Sequence, residues 1–425
     1  MPPPRRWRRP EALIPIAFLA AILVGTGLLL LPGMDRGGAV GPLEALFTAT
    51  SAVCVTGLVV VDTGTDLTRL GQAVVLLLIQ AGGLGIASFS ILALAVRRPV
   101  ALGEEAVLRE AFTPIAHWSV ARVLLGVVTV TLTLEAIGFV VLLPSLGTWS
   151  ALFHSVSATC NAGFSLYRNS LQSQGPAVVV PVLVLLVLGG LGFVTIAELL
   201  AAPFRSRGSR RVSLHTRIVL LASAVLLVLG TLLVMLAEGG RPGHAFFLSA
   251  SARTAGFDTI PVETLSSASL LSLIFLMFVG GSPGSTAGGI KTTTLAVVGL
   301  LMQSILRGRD RITVFGRQVP RAILRRSFAV LICSLIVVAV AIFALTLIEE
   351  GRGLQFLPIA FEVVSAFGTV GLSAGLTTDL TPASHVCLCL VMFVGRVGSL
   401  SFFVLLVREG PDSAVRYPEE EVLVG

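Results

Sequence analysis

Four short phrases along the chain, "CVTGL", "CNAGF", "RTAGF" and "GTVGL", each carry a glycine behind small or hydroxyl-bearing residues. The positions concerned are Val55, Thr56 and Gly57; Asn161, Ala162 and Gly163; Thr254, Ala255 and Gly256; and Thr369, Val370 and Gly371. None of these side chains is a general base or a metal-binding carboxylate. What such tripeptides offer is backbone. Glycine reaches positive φ, which turns successive carbonyls toward a common axis. A ring of four carbonyls replaces the water shell of a monovalent cation. No phrase puts Asp or Glu at the glycine level, which argues against a divalent site. Arg253 stands in the third phrase alone, too solitary for an anion-selecting ring, and its expected task is to tie its own loop down through neighbouring carboxylates or carbonyls.

Four such phrases must be held face to face, and the surrounding residues repeat accordingly. We align "FTATSAVCVTGL" (47–58), "FHSVSATCNAGF" (153–164), "FLSASARTAGFD" (from 247) and "FEVVSAFGTVGL" (361–372) as ungapped copies of F-x3-S-A-x4-G-[L/F]. The Phe-to-Ala stretch of each fits about two turns of short helix. Long apolar runs flank every copy. Of 425 residues, 55% are hydrophobic and 12% charged, with a mean hydropathy of +0.94; soluble domains carry about 25% charged residues. Eight runs approach the length needed to cross a bilayer as helix: 11–31, 71–96, 121–143, 177–202, 216–237, 269–306, 328–348 and 384–407. The first is too long for a signal-peptide core, and "LLLLPGMD" lacks a small-residue cleavage site, so it is read as a retained helix.

The expected fold is therefore an all-α polytopic membrane protein. One membrane domain over 1–425 holds four helix–pore-loop–helix repeats, about 11–96, 121–202, 216–306 and 328–407, around a central ion pathway. Non-helical backbone at membrane depth is tolerated only where protein buries it or where it lines a watery cavity, and four such loops about one axis make a pore.

The net charge of +7 is topological. Twenty-two of the thirty basic residues fall on the side of the N-terminus, six on the opposite side, and two, Lys291 and Arg396, inside spans. The positive-inside rule then puts both termini in the cytoplasm and leaves no charge to assign to nucleic acid. The five cysteines have no metal-ligand spacing and read as packing residues, and the five histidines form no catalytic constellation, so no enzymatic role is expected. No GxxxxGK[ST] occurs, so no nucleotide is expected on this chain.

A second register follows each glycine: "GGLG" (82–85), "GGLG" (189–192), "GGSPG" (280–284) and "GRVG" (395–398), small residues that let helices approach closely. The third copy breaks the pattern with "GGSPGSTAGGIKTTT" (280–294), where one proline and five glycines forbid a clean helix. We expect an unwound, movable segment below the pore loops, with Gly280, Gly281, Ser282, Pro283, Gly284, Ser285, Thr286, Gly288, Gly289, Lys291 and Arg396 as its gating residues. Each intramembrane cation costs roughly 2.5–3.5 kcal/mol. Glu135 and Glu198 are the carboxylates expected to pair with them.

The fourfold pattern, "SARTAGF", "GGSPGSTAGGIKT" and the "GR" of the last span together resemble the Trk/Ktr/HKT superfamily of potassium uptake proteins, over residues 11–407. Without the two extra N-terminal helices of the Trk branch, the chain most resembles a KtrB-type membrane subunit. The resemblance implies potassium as bound substrate at the filter carbonyls, with Gly57, Gly163, Gly256 and Gly371 at the filter positions. It also implies a homodimer, in membrane lipid, docked to a cytosolic KtrA- or TrkA-like nucleotide-binding ring. The basic cytoplasmic loops, 307–326 above all, are the expected docking surfaces, with ordinary positive-inside retention signals as the alternative reading. An ungated or sodium-permeable channel of the same architecture is the alternative, and a serine in the first loop of relatives goes with sodium.

Overall fold

The computed structural model describes residues 10–95, 120–202, 212–308, 312–315 and 317–398. Most of the basic segments at the N-terminus, 97–122, 205–217 and the C-terminus lie outside the described residues, and so does the end of the last expected span.

Helices account for nearly all regular structure. Repeat 1 comprises α1 (Pro10–Leu29), α2 (Pro42–Cys54) and α3 (Arg69–Ala95). In repeat 2, α4 (Val120–Thr159) is interrupted at Gly147, whose φ of 72° and ψ of 169° separate a long helix from a short one. It is followed by α5 (Pro176–Leu191) and α6 (Phe193–Ala201). Repeat 3 has α7 (Leu214–Glu238), α8 (Pro242–Ser251), α9 (Ser267–Phe278) and α10 (Thr292–Leu306). Repeat 4 has α11 (Arg321–Ile348), α12 (Phe356–Gly368) and α13 (Pro382–Val397). A two-residue hairpin, β1 (Thr313–Val314) with β2 (Arg317–Gln318), joins repeats 3 and 4.

The short helices α2, α8 and α12 and the end of α4 exceed the two turns expected, since α2 alone has 13 residues. Pro42 and Pro242 occupy their first positions, where a missing N–H costs nothing and φ is already helical. These helices are the core. Phe47, Phe153 and Phe361 are fully buried, with Ser51, Ser157, Ser251 and Ser365 beside them.

The outside is apolar: Leu77 and Phe343 are each 70% exposed, and Leu236 is 82% exposed. Hydroxyls inside and bare aliphatics outside are the reverse of a soluble protein, and suit a lipid surround. Among the described residues, three helices are by themselves long and apolar enough to cross: Leu125–Thr159, Leu214–Glu238 and Ile323–Ile348. The remaining spans are shorter apolar helices or broken ones.

Closure is cyclic. The return helix of each repeat packs on the next repeat: α3 on α4, α5 on α8, α9 on α12, and α13 back on α2. The expected span 177–202 is bent by 97° between α5 and α6, at Gly192. Its φ of 83° and ψ of 144° are open only to glycine, and a Cβ there would come within 2.9 Å of the Pro283 carbonyl. The expected span 269–306 is likewise two helices, with no helix between Phe278 and Thr292.

Candidate functional site

Each short helix ends in the same turn. The residue two before each glycine is left-handed, at φ 57° for Val55, 56° for Asn161, 78° for Thr254 and 48° for Thr369. The glycines follow at φ 93°, 71°, 74° and 90°. Left-handed Val and Thr are strained, at a cost of about 1–3 kcal/mol each, and such strain clusters where function demands it. The turn corrects the alignment. Val55, Asn161 and Thr369 stand four positions after Ser51, Ser157 and Ser365, but Thr254 stands three after Ser251, so the third copy is one residue shorter before its turn. The two left-handed positions keep their spacing in all four.

The glycines form a closed ring. A Cβ on Gly57 would strike the Ala162 carbonyl oxygen; on Gly163, that of Ala255; on Gly256, that of Val370; on Gly371, that of Thr56. Each missing side chain is thus space taken by the next repeat's carbonyl, once around the axis. Buried serines brace the turns: Ser51 and Ser365 accept from the glycine N–H at 3.1 Å, while Ser157 and Ser251 donate to the carbonyls of Phe164 and Phe257. The buried hydroxyls of Thr56, Thr254 and Thr369 have no hydrogen-bond partner among the described residues. Arg253 does tie its loop down, donating to the carbonyl and hydroxyl of Ser223 on α7 at 3.3 and 3.1 Å.

The helix-approach register holds too. Cβ atoms on Gly82, Gly189 and Gly395 would strike the carbonyls of Val53, Thr159 and Phe367, so the return helices lie directly on the ends of the short helices.

Beneath the ring runs the unwound stretch 279–291. Its ends pair as a bridge between Val279 and Ile290, and Ser282 donates its N–H to Gly190 at 3.1 Å. Thr286 sits 3.4 Å from the carbonyls of both Thr159 and Gly189. With its amide turned to satisfy its neighbours, Asn161 accepts from Thr286 at 3.2 Å and from the Gly190 N–H at 3.0 Å, and donates to Leu186 at 3.0 Å. On the far side Gly288 abuts the Thr369 side chain and Gly289 the Gly368 backbone. The stretch therefore crosses from repeat 2 to repeat 4 at the inner ends of the turns. A cavity of about 350 Å³ lies along it, reached by Gly83, Thr159, Ser285, Lys291, Phe367 and Arg396, residues of all four repeats.

Both cations bind carbonyls. Lys291 donates to Ala287 at 2.6 Å, and Arg396 donates to Gly82 at 2.5 Å and to Thr286. The expected carboxylate pairings do not form. Glu135 instead accepts from Gln80 at 3.3 Å and from the Cys160 thiol at 3.7 Å, and Glu198 holds the hydroxyls of Ser213 and Thr216. Unwinding supplies the reason: it frees carbonyls close by that need donors.

Comparison with known proteins decides the family. A family model described as TrkH, cation transport protein, matches residues 19–416. The chain belongs to the TrkH family. Among relatives, it is 35% identical to the potassium/sodium uptake protein NtpJ of Enterococcus hirae and 35% to the Ktr system potassium uptake protein B of Bacillus subtilis, in both cases over 99% of this chain and 98% of the relative. It is 37% identical to Ktr system potassium uptake protein B of Vibrio alginolyticus, over 97% of this chain and 94% of the relative. The crystal structure of the potassium transporter TrkH from Vibrio parahaemolyticus superposes with a TM-score of 0.75 at 20% identity, covering 96% of this chain and 86% of that one, which establishes the fold. The relatives of this TrkH-family chain are transporters and not enzymes.

Sequence reasoning missed Gly192 and the repeated serines. Both had signals: a glycine in "GGLG" at the site of the bend, and an invariant Ser-Ala within the internal repeat.

Proposed function

We propose that this TrkH-family protein takes up potassium across the cytoplasmic membrane, with both termini in the cytoplasm. The ring at Gly57, Gly163, Gly256 and Gly371 is its selectivity filter, and the stretch 280–291 with Arg396 is its gate. The observation that carries this reading is the closed ring, in which each repeat's carbonyl fills the space of the next glycine. Carbonyls so arranged act on an ion by replacing its hydration shell, the filter chemistry of a potassium pathway.

Potassium is substrate here, not a resident cofactor. The names of the relatives support the ion, and that of the Enterococcus protein joins sodium to it. The Ktr system names further support a translocating subunit working within a multi-subunit system. On this reading the chain is a homodimer that docks a cytosolic nucleotide-binding ring of KtrA or TrkA type. The ring meets the basic loop 307–326, whose hairpin is anchored where Arg217 lies 5.8 Å over the Phe315 ring. The crossing stretch beneath the filter favours a gated pathway over an open channel.

The test is complementation of a potassium-uptake-deficient bacterium at low external potassium, with and without a candidate ring subunit, paired with rubidium and sodium uptake. Growth rescue with rubidium preferred supports the proposal. Rescue absent in a protein that inserts and purifies overturns it.

A further inference from the structure

Two repeats carry a second brace behind the ring that the others lack. The residue after the repeated phenylalanine is His154 in repeat 2 and Glu362 in repeat 4, both fully buried. Eleven residues on, each meets a serine two places beyond a ring glycine: Ser165 after Gly163, Ser373 after Gly371. Ser373 donates its hydroxyl to Glu362 at 2.6 Å, and the same carboxylate accepts from the Ala374 N–H at 3.0 Å and the Thr377 hydroxyl at 2.6 Å. His154 has Nδ1 2.8 Å from the Ser150 carbonyl, so that nitrogen carries the proton, and Nε2 accepts from the Ser165 hydroxyl at 3.0 Å.

The parallel continues one step outward. Ser165 accepts the Tyr167 N–H and Ser373 the Gly375 N–H, both at 3.0 Å. Repeats 1 and 3 have Val59 and Asp258 at the serine position, opposite Thr48 and Leu248. There the geometry differs: Asp258 is held from repeat 2, by the Ser170 hydroxyl on its N–H at 3.2 Å and by Gln172 on its carboxylate at 2.9 Å.

Each tether also reaches the following repeat. The His154 ring stacks on Tyr167 at 5.1 Å and lies 6.5 Å from Phe257 of repeat 3. Thr377, held by Glu362, offers its carbonyl to His385 at 2.8 Å, and His385 meets Phe47 of repeat 1 edge-on at 5.3 Å. Because the ring runs in chain order, repeats 2 and 4 lie across it from each other.

We propose that the His154–Ser165 and Glu362–Ser373 pairs are two opposed tethers that set the width of the ring, making His154 and Glu362 positioning residues for ion discrimination. This rests on the ring being the selectivity filter. An ion filter is sensitive to small displacements of its oxygens, and a buried acceptor receiving several hydrogen bonds is a fixed post against which the outgoing strand is held.

The experiment measures rubidium and sodium uptake, as a ratio of Vmax/KM, in proteoliposomes of Ser373→Ala, Ser165→Ala, their double variant and Glu362→Gln, with Gly371→Ser as the probe of the filter itself. Each serine variant should lower the rubidium-to-sodium ratio about threefold to tenfold, the scale of one lost hydrogen bond to a buried acceptor. The double variant should lower it further, with sodium KM falling rather than total flux collapsing. Ser373→Thr, which retains the hydroxyl, should recover most of the ratio. If Gly371→Ser shifts the ratio while both serine variants stay within twofold of the parent, the tethers are overturned and the filter stands. If Gly371→Ser leaves the ratio unchanged, the filter reading falls and takes the tethers with it. Should Glu362→Gln fail to yield monodisperse protein, the serine variants decide alone.

Discussion

Replacing Arg396 by glutamine tests the gate most directly. Arg396 is 5% exposed on α13, and its guanidinium joins the Thr286 carbonyl of the crossing stretch to the Gly82 carbonyl of α3. It is a clamp between three repeats. Hydrogen bonds to a charged group contribute about 1.5–3 kcal/mol each, so the two together hold the stretch with about 3–6 kcal/mol. A glutamine amide, shorter and neutral, restores at most one bond of about 0.5–1.5 kcal/mol. The arrangement seen here then loses about 1.5–5.5 kcal/mol, and at 1.4 kcal/mol per decade the open-to-closed ratio gains at least about tenfold. Removing a buried cation also lifts an insertion cost of about 2.5–3.5 kcal/mol, so the variant should still insert. Rubidium influx into proteoliposomes matched for protein content should rise about fivefold or more at Vmax, because the minor state of such an equilibrium is commonly 0.1–10% populated. The rubidium-to-sodium ratio should hold, since both carbonyls that Arg396 binds, on Thr286 and Gly82, lie outside the ring. Unchanged or abolished flux in monodisperse protein would refute the clamp and make Arg396 a structural residue.

Other outcomes follow from the same geometry. Gly57→Ser puts a Cβ into the Ala162 carbonyl at φ 93° and should lower the rubidium-to-sodium ratio about tenfold or more, with a cost near 1–3 kcal/mol in stability; an unchanged uptake ratio would contradict the filter. Deleting Gly281–Thr286 removes the bonds to Gly190 and Phe193 and should raise transport velocity while abolishing its dependence on a ring partner, as read by flux with and without that partner. Potassium at about 100 times its dissociation constant should stabilise the purified protein by about 2.7 kcal/mol relative to N-methylglucamine, seen as a higher thermal midpoint. Equal midpoints would argue against a bound ion in the ring.

How much of this could be read from the chain depended on what each residue type signals. The ring was legible because four glycines recur behind matching phrases, and only their recurrence separates a turn glycine from a packing one. The missing residue before Thr254 was countable in the chain, since Gly256 lies five positions after Ser251 where the other glycines lie six after their serines, and the ungapped alignment on Ser-Ala passed over it. Left-handed Val55, Thr254 and Thr369 run against their local preference, so no propensity argument finds them. The bend at Gly192 hid inside "GGLG", where Gly189 serves close packing and Gly192 serves a positive φ with the same letter. The His154 and Glu362 tethers were visible only as a serine eleven residues downstream, a spacing with no helical or strand period to flag it.

The misassigned partners of the two cations show how the third repeat is held together. A charge in a span suggested a carboxylate, yet Lys291 and Arg396 bind backbone. Unwinding 279–291 removes the internal hydrogen bonds of more than three turns, and in a membrane interior every freed carbonyl needs a donor. The structure finds one for five of them: the Thr292 N–H for Gly281, the Ser285 N–H and hydroxyl for Ser282, the Phe193 N–H for Gly284, Arg396 for Thr286 and Lys291 for Ala287. Three of these donors, on Phe193, Arg396 and Lys291, depend on features that repeat 3 alone would not require: the bend at Gly192 in repeat 2, a cation on α13 in repeat 4, and the only lysine of the chain. Broken helix, bent neighbour and buried cations are thus one arrangement. A stretch whose carbonyls are held by side chains and by neighbouring helices, rather than by its own helix, can exchange those partners one at a time. That is the physical requirement for a segment that moves without melting the helices on either side.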